Sequence, residues 1–206
     1  MYTVVIPSSN LTNLTACLSH LQERRIVVVR ETPFIFARAC NAGIRAADND
    51  DVVLLNDDAL LASPSSLLEL ETLSKAHPEF GLISAAIDGV CIHTHQHPRP
   101  GIQHWLAPFP TLAFICVYIP RATINRIGLL DQQFIGYGWE DDDYCRRNRN
   151  AGMAQAVCGT CIVNHKSLPS TFRHQNAANC NKLLAINLAL FRKKWNIPLN
   201  ADPRLG

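Results

Sequence analysis

Four short runs of the chain are apolar throughout: Tyr2–Ile6, Ile26–Val29, Val52–Leu55 and Gly81–Ala86. Between them lie segments whose apolar residues recur at helical spacing. Ser8–Asn10 is suited to cap a helix over 11–22. Phe36–Ala47 reads as a helix with Gly43 inside it, and Pro64 opens a helix that runs to Ala76. Strands with no polar alternation are buried on both faces. Their alternation with helices predicts a parallel α/β sheet with right-handed crossovers. Ligands of such sheets bind beyond the carboxyl ends of the strands. Pro7-Ser8-Ser9 and Asn56-Asp57-Asp58 both follow strands in this way.

The pattern changes after residue 87. Residues 88–111 carry His93, His95, His97 and His104, with prolines at 98, 100 and 108, and read as irregular or hairpin-forming. The alternation of His93, His95 and His97 would put three imidazoles on one side of a strand, facing solvent or a ligand, or holding zinc. Leu112–Ile119 reads as a strand, and Pro120-Arg121 opens a short helix ending at Gly128. A helix is expected from Glu140 to Ala151, closed by Gly152. A strand over Ala156–Val163 ends in Asn164-His165. Pro169–Arg173 reads as a loop, and 176–195 as a closing helix whose basic end, Arg192-Lys193-Lys194, suits its dipole. With no repeat or linker, the 206 residues are expected to form one domain, whose character changes between residues 1–87 and 88–206.

Composition narrows the classes. A hydrophobic fraction of 48% with 17% charged residues suits a packed core. A net charge of +2 gives no electrostatic case for nucleic acid. The first residues enter a strand directly, and no apolar run approaches the roughly 20 residues of a membrane span, so a cytoplasmic protein is expected. The eight cysteines sit mostly in apolar segments, as small hydrophobes. Cys158 and Cys161 have redox or zinc spacing but no partner pair, and read as buried strand residues.

The most informative stretch is Phe134–Arg147, FIGYGWEDDDYCRR. Glycines at 136 and 138 allow a sharp turn and a close backbone approach to a ligand. Four carboxylates follow, Glu140 to Asp143, at a helix start whose free N–H groups and dipole favour anions. The stretch reads either as an acidic cap on a solvated face or as a pocket lip presenting a general base.

Five segments taken in order, VVIPSSN at 4–10, FARACNAGIRAA at 36–47, DVVLLNDDA at 51–59, 114–152 and VNHKS at 163–167, resemble the inverting GT-A glycosyltransferases of the family 2 type. The 134–143 stretch is also similar to the acidic segment of β-1,4-galactosyltransferases. The resemblance implies a single Rossmann-like GT-A domain with a mostly parallel central sheet flanked by helices. It also implies a nucleoside-diphosphate sugar as donor, with UDP favoured and GDP or dTDP as alternatives, and a carbohydrate or glycoconjugate hydroxyl as acceptor.

Carried over residue by residue, it makes Asp58 and His165 metal ligands, with Mn²⁺ favoured over Mg²⁺ by the mixed nitrogen and oxygen set. Pro7, Ser8, Ser9, Arg38, Asn41, Asn56 and Asp57 fall on the donor side. Asp141 takes the place of the base, and Glu140 that of a ligand to sugar hydroxyls. Trp139 is placed to stack on a sugar or to serve as a core or rim aromatic. Asp142 and Asp143, further round the helix, are expected to be cap and surface groups. The chain departs from the pattern after the second strand, where Arg30-Glu31 stands in place of a base-reading Asp and Glu31 is the substitute. A nucleotidyltransferase is the rival enzyme class, though Pro7-Ser8-Ser9-Asn10 is no glycine-rich basic phosphate loop. A sugar-nucleotide or glycan-binding module without catalysis is the non-enzyme rival.

Overall fold

The computed structural model describes all residues except 24, 108–110, 171–178 and 205–206. Its sheet has eight strands: β1 (Tyr2–Pro7), β2 (Ile26–Val29), β3 (Asp51–Leu55), β4 (Leu60–Leu61), β5 (Phe80–Gly89), β6 (His104–Leu106), β7 (Cys116–Ile119) and β8 (Ala154–His165). The order is β2-β1-β3-β7-β5-β8-β4, with β6 also on β8. The helices are α1 (Leu11–Ser19), α2 (Phe36–Ala46), α3 (Leu67–Ala76), α4 (Arg121–Ile127), α5 (Glu140–Asn150) and α6 (Cys180–Trp195). No helix among the described residues is long and apolar enough to cross a membrane.

Successive residues of a strand point to opposite faces, and the two cores follow that rule. Val4, Ile6, Val53 and Leu55 bury against α1 and α3. Val5, Val52 and Leu54 bury against α2, α4 and α5. Both faces are therefore covered, as the unbroken apolar runs require. A third, small cluster joins Phe134, Trp139 and Phe191, and so ties the glycine-rich stretch to α6.

The parallel expectation holds for β1 with β2 and β3, and for the long β5–β8 ladder. It is corrected at β7, which lies antiparallel between β3 and β5, and at β4 and β6, each antiparallel to β8. Among its described residues the segment before β7 supplies no crossover helix, and without one a strand returns in the opposite direction. That segment is a 3₁₀ turn over Thr94–Gln96 followed by β6. The three histidines are accordingly not on one side of a strand. His93 and His95 are buried, His95 Nε2 meets the carbonyl of Thr111 at 2.9 Å, and His97 Nδ1 meets that of Ile87 at 3.0 Å. The ring of His93 meets the Thr111 hydroxyl, so all three imidazoles are engaged by protein groups of this segment and of β5.

Several boundaries move. Asn10 caps α1, accepting from the N–H groups of Thr12 and Asn13, but the helix stops at Ser19. Residues 64–66 form a turn ahead of α3, and β7 begins only at Cys116. The start expected for the last helix lies outside the described residues, which show α6 from Cys180. At the other end of the sheet Gly89 has φ 128° and pairs with His165. A Cβ there would come within 2.8 Å of the His165 backbone, so glycine lets β5 and β8 end side by side.

Candidate active site

The carboxyl ends of β1, β3, β5 and β8 and the start of α5 surround a cavity of about 600 Å³, within the range of small-molecule sites. Pro7 closes the end of β1, and Asn56, Asp57 and Asp58 line the turn after β3. Asp57 is held by Ser8, whose buried hydroxyl donates to its Oδ2 at 2.6 Å.

Asp58 and His165 converge from β3 and β8, with Nε2 3.3 Å from Oδ1. On the other side of the ring, His165 Nδ1 meets the carbonyl of Val90. A carbonyl only accepts, so Nδ1 carries a proton, and Nε2 meets the carboxylate oxygen either as a lone pair or as a second N–H. Two acceptors at that distance call for a cation between them or a second proton on the ring. A backbone carbonyl fixing one nitrogen while the other faces a carboxylate is how metal-ligating histidines are held. No set of three or more His, Cys, Asp or Glu residues is assembled for a metal among the described residues. A divalent ion that completes its shell with substrate phosphates needs only one or two side chains, and this pair fits that requirement.

The carboxylates at the start of α5 have separate surroundings. Trp139, at φ 75°, turns the chain into the helix, and Gly138 before it, at φ 101°, leaves no room for a side chain: a Cβ would stand 2.4 Å from Leu184. Asp141 lines the cavity and accepts from the Asp142 N–H at 2.9 Å. Its oxygens reach the cavity while protein removes most of their hydration. That desolvation first, and the charge of Asp142 second, push its pKa up to about 7, against the pull of Arg204. Glu140 is 2% exposed and does not line the cavity. Burial, then the neighbouring Asp141, raises its pKa well above the carboxylate range, and its Oε2 has no hydrogen-bond partner.

Asp142 and Asp143 correct the expectation of surface groups. Asp143 is fully buried, paired with Arg147 at 2.9 Å and Lys194 at 2.8 Å and accepting from the Trp195 indole at 2.9 Å. Asp142 lines the cavity in a pair with Arg204.

The donor-side residues divide. Asn41 is 1% exposed; its amide donates to the Leu130 carbonyl at 2.8 Å and accepts from the Leu130 N–H at 2.9 Å, so it clamps the backbone and does not face the cavity. Arg38 and Glu31 pair at 2.7 Å outside the cavity lining, and Ser9 is also outside it. The sequence reading missed Phe34, Phe36 and Tyr137 on one wall and Val90 to Ile92 on another. It also missed Arg204, which no local pattern distinguishes. Trp139 lines the cavity but is only 8% exposed, with Arg204 4.5 Å over its ring and Phe191 5.2 Å away. Cys158 and Cys161 are free, buried thiols, as their apolar surroundings suggested.

No family model matches the chain. Among curated proteins it is similar to the uncharacterized protein y4gI of Sinorhizobium fredii (strain NBRC 101917 / NGR234), with 21% identity over 204 residues. The match covers 88% of this chain and only 22% of that protein's length. Among solved structures it is similar to the mannosyltransferase PcManGT from Pyrobaculum calidifontis in complex with GDP-Man and Mn²⁺. The TM-score is 0.66 at 15% identity, covering 99% of this chain and 66% of the other. The structure of GalNAc-T7 with UDP, GalNAc and Mn²⁺ gives 0.61 at 13% identity, covering 80% and 43%. That of a Drosophila β1,4-galactosyltransferase 7 mutant with manganese, UDP-Gal and xylobiose gives 0.52 at 14%, covering 84% and 72%. The fold is that of the GT-A glycosyltransferases: a mixed central sheet flanked by helices.

Proposed function

We propose that the chain is a metal-dependent inverting glycosyltransferase, which moves a hexose from a nucleoside-diphosphate sugar to an acceptor hydroxyl. One observation carries this reading. Asp58 and His165, 3.3 Å apart, line the same cavity as the carboxylate of Asp141, which supports a cation and a base acting on one substrate. The three solved relatives are complexes with Mn²⁺ and a nucleotide or nucleotide sugar, which supports the same class.

When bound, the cation would neutralise the charge that builds on the departing diphosphate. Asp58 and His165 would hold it, and the imidazole favours Mn²⁺ over Mg²⁺. Asn56 and Asp57 offer polar contacts to the ribose or sugar, and Pro7, Phe34 and Phe36 give the nucleoside an apolar wall. A UDP-sugar is the favoured donor. Asp141 accepts the proton of the acceptor hydroxyl as its oxygen bonds to the anomeric carbon and the bond to the diphosphate breaks. A single displacement of this kind inverts the anomeric centre. The acceptor is a hydroxyl of a glycan, glycoprotein or glycolipid.

The test is nucleoside-diphosphate release from a panel of UDP-, GDP- and dTDP-sugars with Mn²⁺, Mg²⁺ or EDTA, for the wild type and Asp58→Ala. One donor turned over, lost with EDTA and reduced at least 100-fold in Asp58→Ala, is expected. Calorimetry on the same panel covers a strict acceptor requirement; no metal-dependent binding of any donor would sink the reading.

A further inference from the structure

Four successive carboxylates cannot all face one reacting centre, and the structure removes three of them by different means. Asp143 is buried between Arg147, Lys194 and Trp195. Glu140 is buried away from the cavity, with the N–H groups of Glu140 and Gly138 as partial compensation. Asp142 lines the cavity, and its charge is met by a side chain 62 residues later in the sequence. Arg204 Nε lies 3.1 Å from Asp142 Oδ1, and Nη2 lies 3.4 Å from Oδ2. The same guanidinium covers the ring of Trp139, and the Arg204 backbone N–H is fixed by Asp202 at 2.9 Å.

We infer that Arg204 is a positioning residue for the Asp141 base: it forks onto Asp142, lies flat on Trp139, and leaves Asp141 as the carboxylate of the run offered to an acceptor. The inference rests on the function proposed above. A planar fork that also stacks is arginine's chemistry, and a lysine ammonium cannot hold both carboxylate oxygens and the ring together. The titratable groups facing Asp141 are Glu140, Asp142 and Cys145 from α5, Cys91 from the segment after β5, and Arg204. Arg204 is the cation in that set. Arg149 also acts on Asp142, but without Arg204 the hydrogen-bonded counter-charge of Asp142 is gone and Asp141 loses its own nearby cation, so Asp141 keeps its proton to higher pH.

The experiment compares Arg204→Gln, Arg204→Lys, Asp142→Asn and the double variant Asp142→Asn/Arg204→Gln. The Asp141 carboxyl is titrated by ¹³C NMR in the substrate-free protein, with Asp141→Asn to assign the signal. Arg204→Gln is expected to raise the midpoint by about one pH unit or more, and the double variant to bring it back toward the wild type. Where a donor and acceptor turn over, the acidic limb of kcat/KM moves by the same amount. Arg204→Lys keeps the midpoint near the wild type but lowers kcat at least fivefold, because the fork is lost. An unmoved midpoint in Arg204→Gln, no restoration in the double variant, or a fully active Arg204→Lys would each overturn the assignment. If no donor turns over or binds with metal, the glycosyltransferase reading fails, and the NMR midpoints still decide the role of Arg204. A merely structural contact would lower stability without moving either the titration or the pH limb.

Discussion

Asp141 and Asp58 illustrate what a single side chain gives up at this site. A carboxyl whose pKa is pushed from 3.8 to about 7 is held against its own solvation. Between those values the folded chain keeps a proton that the unfolded chain has lost. The stability Asp141 contributes is therefore complete below about pH 4 and disappears as the pH rises through about 7. In the proposed reaction its use runs the other way, since a base must be ionised, so acceptor-dependent turnover is expected to rise through about pH 7. Asp141→Asn separates the two effects. The variant is expected to lose about 100-fold or more in turnover. It should gain about 1 kcal/mol or more in stability at pH 8, and less at pH 5, because the amide has no charge to desolvate. Urea denaturation at the two pH values, beside turnover, checks both; a variant less stable than wild type at pH 8 would contradict the burial argument. Sequence alone marked Asp141 and Asp58 through the motifs they sit in. It misplaced Asp142, Asp143 and Asn41, whose partners Arg204, Lys194 and Leu130 are 62, 51 and 89 positions away.

At the scale of elements, the alternation of apolar runs and helical spacing made β1, α2, β3, α3 and β5 legible, because each is stabilised by a local pattern repeated on both faces of one sheet. β7 was legible as a strand but not in its direction, which follows from the irregular described residues and the short β6 that precede it. The histidine-rich segment was legible as irregular, but not the placement of its imidazoles, which meet the Thr111 hydroxyl and the carbonyls of Thr111 and Ile87 that no local pattern identifies. The least visible device is the junction of α6 with the glycine-rich stretch. Asn187, fully buried, accepts from the Ile135 N–H at 3.1 Å and donates to the carbonyls of Ile135 and Gly138 at 2.9 and 3.0 Å. One amide thus satisfies the backbone of the turn that carries Trp139 and Asp141. Asn187→Ala leaves those groups buried without partners, at an expected cost of about 2 kcal/mol or more. Turnover should fall well beyond the loss of folded protein, because the turn that aims Asp141 loosens. Chemical denaturation and kcat of the residual folded fraction test this; an unchanged kcat would show that the turn is held by other contacts.

At the scale of the molecule, the cavity collects the ends of strands that are far apart in sequence, and its two halves are incomplete separately. Asp58 comes from the first half of the chain and His165 from the second, and their 3.3 Å approach depends on β5 and β8 ending in register at Gly89 and His165. Two side chains make a weak site for a hard divalent ion, which ordinarily completes its shell with phosphate oxygens. Cation and nucleotide should therefore stabilise the fold jointly and hardly at all separately. With a nucleoside diphosphate and Mn²⁺ at about 100 times the dissociation constant, linkage predicts about 2.7 kcal/mol. In a domain of this size that corresponds to a rise in Tm of roughly 5–10 °C. Mn²⁺ alone, or nucleotide with EDTA, should give about a degree or less, and Asp58→Ala and His165→Ala should each remove the joint shift. Differential scanning fluorimetry across this grid requires neither the sugar nor the acceptor to be known. A full shift with nucleotide and EDTA would mean that the nucleotide binds without the Asp58–His165 pair. A full shift with Mn²⁺ alone would mean a protein-only cage that this pair cannot provide.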